Sequence, residues 1–238
     1  MARAAVSFAQ VLSRPDVWRG SMQPSASRAG IASGFTTLDE VLPDGGWPTG
    51  ALTELLCAYS GIGEIALLRP ALAALAAADG WIGLIAPPLP PYAPAWAQQG
   101  LALERLVVVR ADGRDAQWAA EQFVAAGSFG AVLAWLPQTD ARGLRRLQVA
   151  HAGKHGMAAV FRPLARAGEA SPAPLRIRLR PAGAHLELDI LKRRGGPLQQ
   201  PVRLAVARPL PGMEASDDGS RLAGSRPSPA PAASLSCL

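Results

Sequence analysis

Short, unbroken apolar runs alternate with helix-patterned segments along most of this 238-residue chain, and that alternation restricts the fold more than any other feature. The runs are residues 51–56, 81–86, 106–109, 131–136 and 157–161, and each reads as a buried strand. Between them, residues 65–78, 95–97, 116–126 and 139–151 have the composition or apolar spacing of helices. Strands that are apolar on both faces belong in a parallel sheet covered by helices on both sides. After residue 174 the pattern changes. Residues 175–180 and 186–190 alternate apolar and charged positions about a Pro-Ala-Gly-Ala turn, which predicts a β-hairpin with one covered face, and residues 202–206 can add a last strand. The expected fold class is α/β: a mostly parallel sheet with helices on both faces and a C-terminal β-hairpin.

The first strand leads into Cys57-Ala58-Tyr59-Ser60-Gly61-Ile62-Gly63-Glu64-Ile65 and then a helix. Strand, glycine-containing loop and helix is the context of a phosphate-binding loop, whose working motif is G-x-x-x-x-G-K-[ST]. Its key positions fall on Ala58, Gly63, Glu64 and Ile65. The second glycine is kept. Alanine replaces the first, glutamate the lysine, and a branched alkyl group the magnesium-binding hydroxyl. The lysine normally sets a positive charge against the β- and γ-phosphates. At ~4 Å and an effective dielectric of ~20, a unit charge pair is worth on the order of 4 kcal/mol, so changing its sign is a large effect. The strand over 131–136 ends in Ala134-Trp135-Leu136-Pro137 and the segment after the second strand is Ala86-Pro87-Pro88-Leu89-Pro90; neither supplies an acid to hold a metal or activate water. An ordinary strand-to-helix turn at Gly61 and Gly63 is the competing reading. Either way the chain reads as a non-enzyme with no cofactor, and the loop as a vestigial nucleotide site made of Ala58, Gly61, Gly63, Glu64 and Ile65.

The residues before the loop carry a resemblance. Leu38, Asp39, Leu42, Gly45, Gly46, Pro48, Gly50 and Glu54 fit L-D-x-x-L…G-G-x-P-x-G-x-x-x-E, which resembles the entry to the core of RecA-family recombinases. Residues 12–20, the degenerate loop and Leu191-Lys192-Arg193-Arg194-Gly195-Gly196-Pro197 together look like the ImuA family, RecA-like accessory proteins also labelled SulA-like. The resemblance spans residues 8–207. It implies a RecA-like core and a role in the SOS response and error-prone translesion synthesis. Its implied partners are ImuB, a Y-family polymerase homologue, and a DnaE-type error-prone polymerase; RecA and DNA are further candidates. Two alternatives stay open: an active RecA-type DNA-dependent ATPase or recombinase, and a SulA-like division inhibitor.

Formal net charge is +6, carried almost wholly by arginine, with lysine only at Lys154 and Lys192. That balance suits nucleic acid or an acidic protein, and also suits a compositional bias toward arginine. Arg176, Arg178 and Arg180 share one strand face by period two, and Lys192, Arg193 and Arg194 follow the partner strand. Arg176, Arg178, Lys192, Arg193 and Arg194 are the candidate DNA- or partner-binding residues. In RecA-family proteins a basic pair after this hairpin reaches a neighbouring subunit's nucleotide, and Lys192 and Arg194 match it. The alternative is cross-strand pairing with Glu187 and Asp189, which can absorb two arginines but not six cations. His151 and His155 read as surface residues, Trp135 as a core or partly buried aromatic, and Cys57 as a small buried apolar group. With no span of ~20 apolar residues, no signal-peptide core and no disulfide spacing, the expected location is the cytoplasm, away from membranes. The expected organisation is an N-terminal helix over 1–20, a linker over 21–33, the core over 34–207, and a Pro/Ala/Ser-rich tail over 208–238 that cannot bury a core.

Overall fold

The computed structural model describes residues 29–206, so the expected N-terminal helix, residues 21–28 of the linker and the tail lie outside the described residues, while Ile31 at the end of the linker pairs with Trp47 and Ser33 is buried. The described chain runs α1 (Thr36–Asp39), β1 (Leu52–Cys57), α2 (Glu64–Ala77), β2 (Trp81–Ile85), α3 (Ala93–Gln98), β3 (Leu106–Val109), α4 (Gly113–Ala126), β4 (Phe129–Trp135), α5 (Ala141–His151), β5 (Met157–Pro163), β6 (Leu175–Ala182), β7 (His185–Lys192) and β8 (Val202–Ala205). Its strands form one eight-stranded sheet in the order β3-β2-β4-β5-β1-β6-β7-β8. The six strands from β3 to β6 are parallel, and β7 and β8 are antiparallel to their neighbours. This is the α/β class that the sequence pattern predicts.

Period two explains how the sheet is covered. On β4, Ala131 and Leu133 face a core shared with Leu67, Leu68, Ala71 and Leu72 of α2. The intervening Val132 and Ala134 face a second core, shared with Ala116, Ala119, Ala120 and Val124 of α4 and Leu144 and Leu147 of α5. A strand buried on both faces has no room for polar alternation, hence the unbroken apolar runs. At Gly83 of β2 a β-carbon would stand 2.6 Å from the Phe123 ring. The missing side chain lets Phe123 lie on the strand, stacked on Phe129 with ring centroids 4.4 Å apart.

Two local expectations need correction. The run 106–109 reads as a buried strand, but β3 is a sheet edge and its four residues are half-buried or exposed. An edge strand has a neighbour on one side only, so its apolar side chains cover less. His151 reads as a surface residue, but it is buried at 2% exposure at the end of α5; His155 is exposed.

Candidate functional site

Gly63, in the left-handed region at φ 111°, turns the chain from the loop into α2. That conformation suits glycine and strains other residues. The turn aims loop N–H groups inward, the arrangement by which strand–loop–helix units hold phosphate. Here the Glu64 carboxylate takes that place. Its Oε1 accepts from Gly61 N at 2.8 Å and its Oε2 from Gly63 N at 3.1 Å. Glu64 is 4% exposed and opens a fourteen-residue helix, where a negative charge also meets the positive end of the helix dipole. The anion seat is therefore filled by the residue that stands where a phosphate loop carries its lysine. From sequence, Glu64 only repels phosphate; in the structure it also satisfies the donors phosphate would use. Ile65 turns half-buried into the core, and Ala58 and Gly61 are exposed. Cys57, just before the loop, is held as the thiol: burial, reinforced by the Glu64 charge, pushes its pKa up to about 12.

The loop edges a cleft of about 1080 Å³ outside the carboxyl ends of β1 to β5, where open α/β sheets bind their ligands. Tyr59 and Ser60 line it from the loop, Asp112, Arg114, Gln117 and Trp118 from the start of α4, and Thr139, Asp140 and Arg146 from the start of α5. Trp135, half-buried as expected, stacks on Phe161 with centroids 4.5 Å apart at the ends of β4 and β5. Asp140 caps α5 by accepting from Gly143 N at 2.8 Å, and that hydrogen bond holds its carboxyl below the usual range.

Behind the cleft lies a charge cluster. Glu54, fully buried in the central strand β1, accepts from Arg162 of β5 at 2.6 Å and from Arg176 of β6 at 2.7 Å. Arg162 also donates to the Thr139 carbonyl at 2.7 Å and to Glu169 at 2.9 Å, and Arg176 to the Arg166 carbonyl at 3.1 Å. Hydrogen bonds from Arg166 and then Arg162 hold the Glu169 carboxyl below its ordinary range. The short segment after β5 is thus clamped onto the sheet through Arg162 and Arg176.

The other candidates lie elsewhere. Lys192 pairs with Arg176 near the start of β6, so the residues after β7 sit at the amino edge of the parallel strands, opposite the loop. The structure does not bring the two groups together. Each hairpin cation has an intramolecular partner, which goes beyond the two that sequence reasoning allots to cross-strand pairing. Arg176 meets Glu54; Arg178 meets Asp189 at 2.8 Å; Arg180 meets Glu187 at 2.5 Å and Asp189 at 3.0 Å. Lys192 donates to the Ser171 carbonyl at 2.8 Å, Arg193 to the carbonyls of Val41 and Gly196, and Arg194 meets Asp44 at 3.3 Å. Lys192 and Arg194 nevertheless stay exposed, Arg194 with 60% of its side chain in solvent.

The fold and loop define a class: a mostly parallel α/β protein whose strand–loop–helix turn has amides bonded by a carboxylate of the chain itself. No protein-family model matches the chain, and a search of curated proteins finds no match. No helix among the described residues is long and apolar enough to cross a membrane.

Proposed function

We propose that this chain is a non-catalytic, RecA-like accessory protein of the ImuA type. In this reading it acts in the cytoplasm in SOS-induced, error-prone translesion synthesis, beside an ImuB-like polymerase homologue and a DnaE-type polymerase. One observation carries the non-catalytic part: the Glu64 carboxylate on the amides of Gly61 and Gly63. A nucleotide phosphate entering the loop must displace a bound carboxylate and then lie beside its charge. Ile65 offers no oxygen for magnesium, and the ends of β2 and β4 carry no acid of their own. The resemblance in residues 8–207 supports the pathway and partners.

Co-expression with the polymerase homologue tests the assignment. The two proteins should co-purify, and deleting this chain's gene should abolish damage-induced mutagenesis without altering division after damage. Filamentation that depends on this chain, with mutagenesis intact, would favour division inhibition instead. DNA contact at the hairpin rests on its exposed members, Lys192 and Arg194. If both meet phosphates, changing both to alanine should reduce the slope of log affinity against log salt by roughly 0.7 to 0.9 per contact. An unchanged slope would remove DNA from this surface.

A further inference from the structure

With its phosphate seat filled, the cleft keeps features that suit a different ligand. Trp118 on α4 is 64% exposed and Tyr59 on the loop 50% exposed, and both line the cleft. Neither ring has a stacking or cation partner among the described residues. The charge around them is acidic once internal pairs are set aside. Arg146 is neutralised by Glu121 at 2.8 Å, and Arg162 is held by Glu54 and Glu169. That leaves the exposed Asp112 and Asp140 against Arg114 in the lining, with Glu64 turned inward onto the loop amides. Asp112 precedes α4 without capping it through its side chain, and its carboxylate has no partner among the described residues. Exposed aromatic faces beside carboxylates recognise a guanidinium or ammonium: the ring quadrupole and the acid charge act on the same cation. A polyphosphate or nucleic-acid backbone meets charge of its own sign there.

We propose that this cleft binds an arginine- or lysine-bearing peptide segment of a partner protein, its cationic side chain lying against Trp118 and Tyr59 and within reach of Asp112. The proposal rests on the adaptor reading only in taking the cleft as an interaction surface. The net charge of the chain does not favour such a peptide, since the whole chain carries +6.

The test is fluorescence anisotropy with the full chain and a short labelled arginine-rich peptide, with a glutamate-rich peptide and labelled oligothymidylate as comparators. The arginine-rich peptide should bind best. Trp118→Ala and Asp112→Asn should each weaken it by roughly three- to tenfold. Both side chains are exposed, so neither change should move the melting temperature. Absence of binding, or binding that both variants leave unchanged, overturns the proposal. Preference for oligothymidylate, lost in Trp118→Ala, overturns it in favour of single-stranded nucleic acid. None of these results bears on whether Glu64 excludes nucleotide, so the two readings fail separately.

Discussion

Glu54 is the residue on which the centre of the sheet depends. A carboxylate with no solvent exposure is tolerable only while both arginines stay in place. Glu54→Ala should therefore destabilise the protein by about 3–5 kcal/mol, since it strands two buried guanidinium groups. Chemical denaturation measures this directly, and a loss below ~1 kcal/mol would show that water reaches the cluster. His151 gives a second test at this scale. Burial holds its pKa below 6.5, with the Gly156 backbone partly opposing the shift. The unfolded chain then binds the proton first, so stability should fall as pH drops below about 6.5. His151→Leu should flatten that part of the stability–pH curve. A slope unchanged by the substitution would assign it to other groups, such as Glu169 and Asp140, whose lowered pKa values also make stability fall with pH but in a more acidic range.

At the scale of elements, the parallel core is legible because its signals are local: apolar runs, helical spacing, and glycines at turns. Strand order and neighbours are not local. The run 106–109 looks buried by composition, and only the topology makes it an edge. Glu54 and Arg162 are 108 positions apart, so their pairing is invisible in sequence, although an acid inside the apolar run 52–56 is a signal that some cation must meet it. The hairpin shows the same limit. Its period-two cations are plain, but their commitment to Glu54, Asp44, Asp189 and backbone carbonyls depends on distant segments. The loop residues were identifiable from spacing, whereas the inward fold of Glu64 depends on loop conformation. Packing of α4 on β2 supplies a prediction here. Gly83→Ala should displace Phe123 and cost about 1–3 kcal/mol, read as a lowered denaturation midpoint. No change would mean that the Phe123–Phe129 stack shifts without loss.

For the whole molecule, the last described strand contributes directly to the core. Val202, Leu204 and Val206 are buried, and a β-carbon on Gly63 would meet Val206 Cγ2 at 3.2 Å. Truncation after Arg208 should leave the melting temperature nearly unchanged, because the remaining sequence has no apolar periodicity to bury. Truncation before Val202 should lower it markedly, at about 1.5–3 kcal/mol for each large apolar side chain removed. A large drop from the shorter truncation would place part of the tail on the core.

The Glu64 carboxylate on the Gly61 and Gly63 amides is what should exclude nucleotide from the loop. Calorimetric titration of the wild type with magnesium and ATP near millimolar concentration, paired with a hydrolysis assay, tests it most directly. Neither binding heat nor turnover is expected, and Glu64→Lys alone should give no ATPase, since Ile65 and the acid-free ends of β2 and β4 remain. Robust magnesium-dependent turnover by the wild type, abolished by substituting Gly63, would contradict that exclusion.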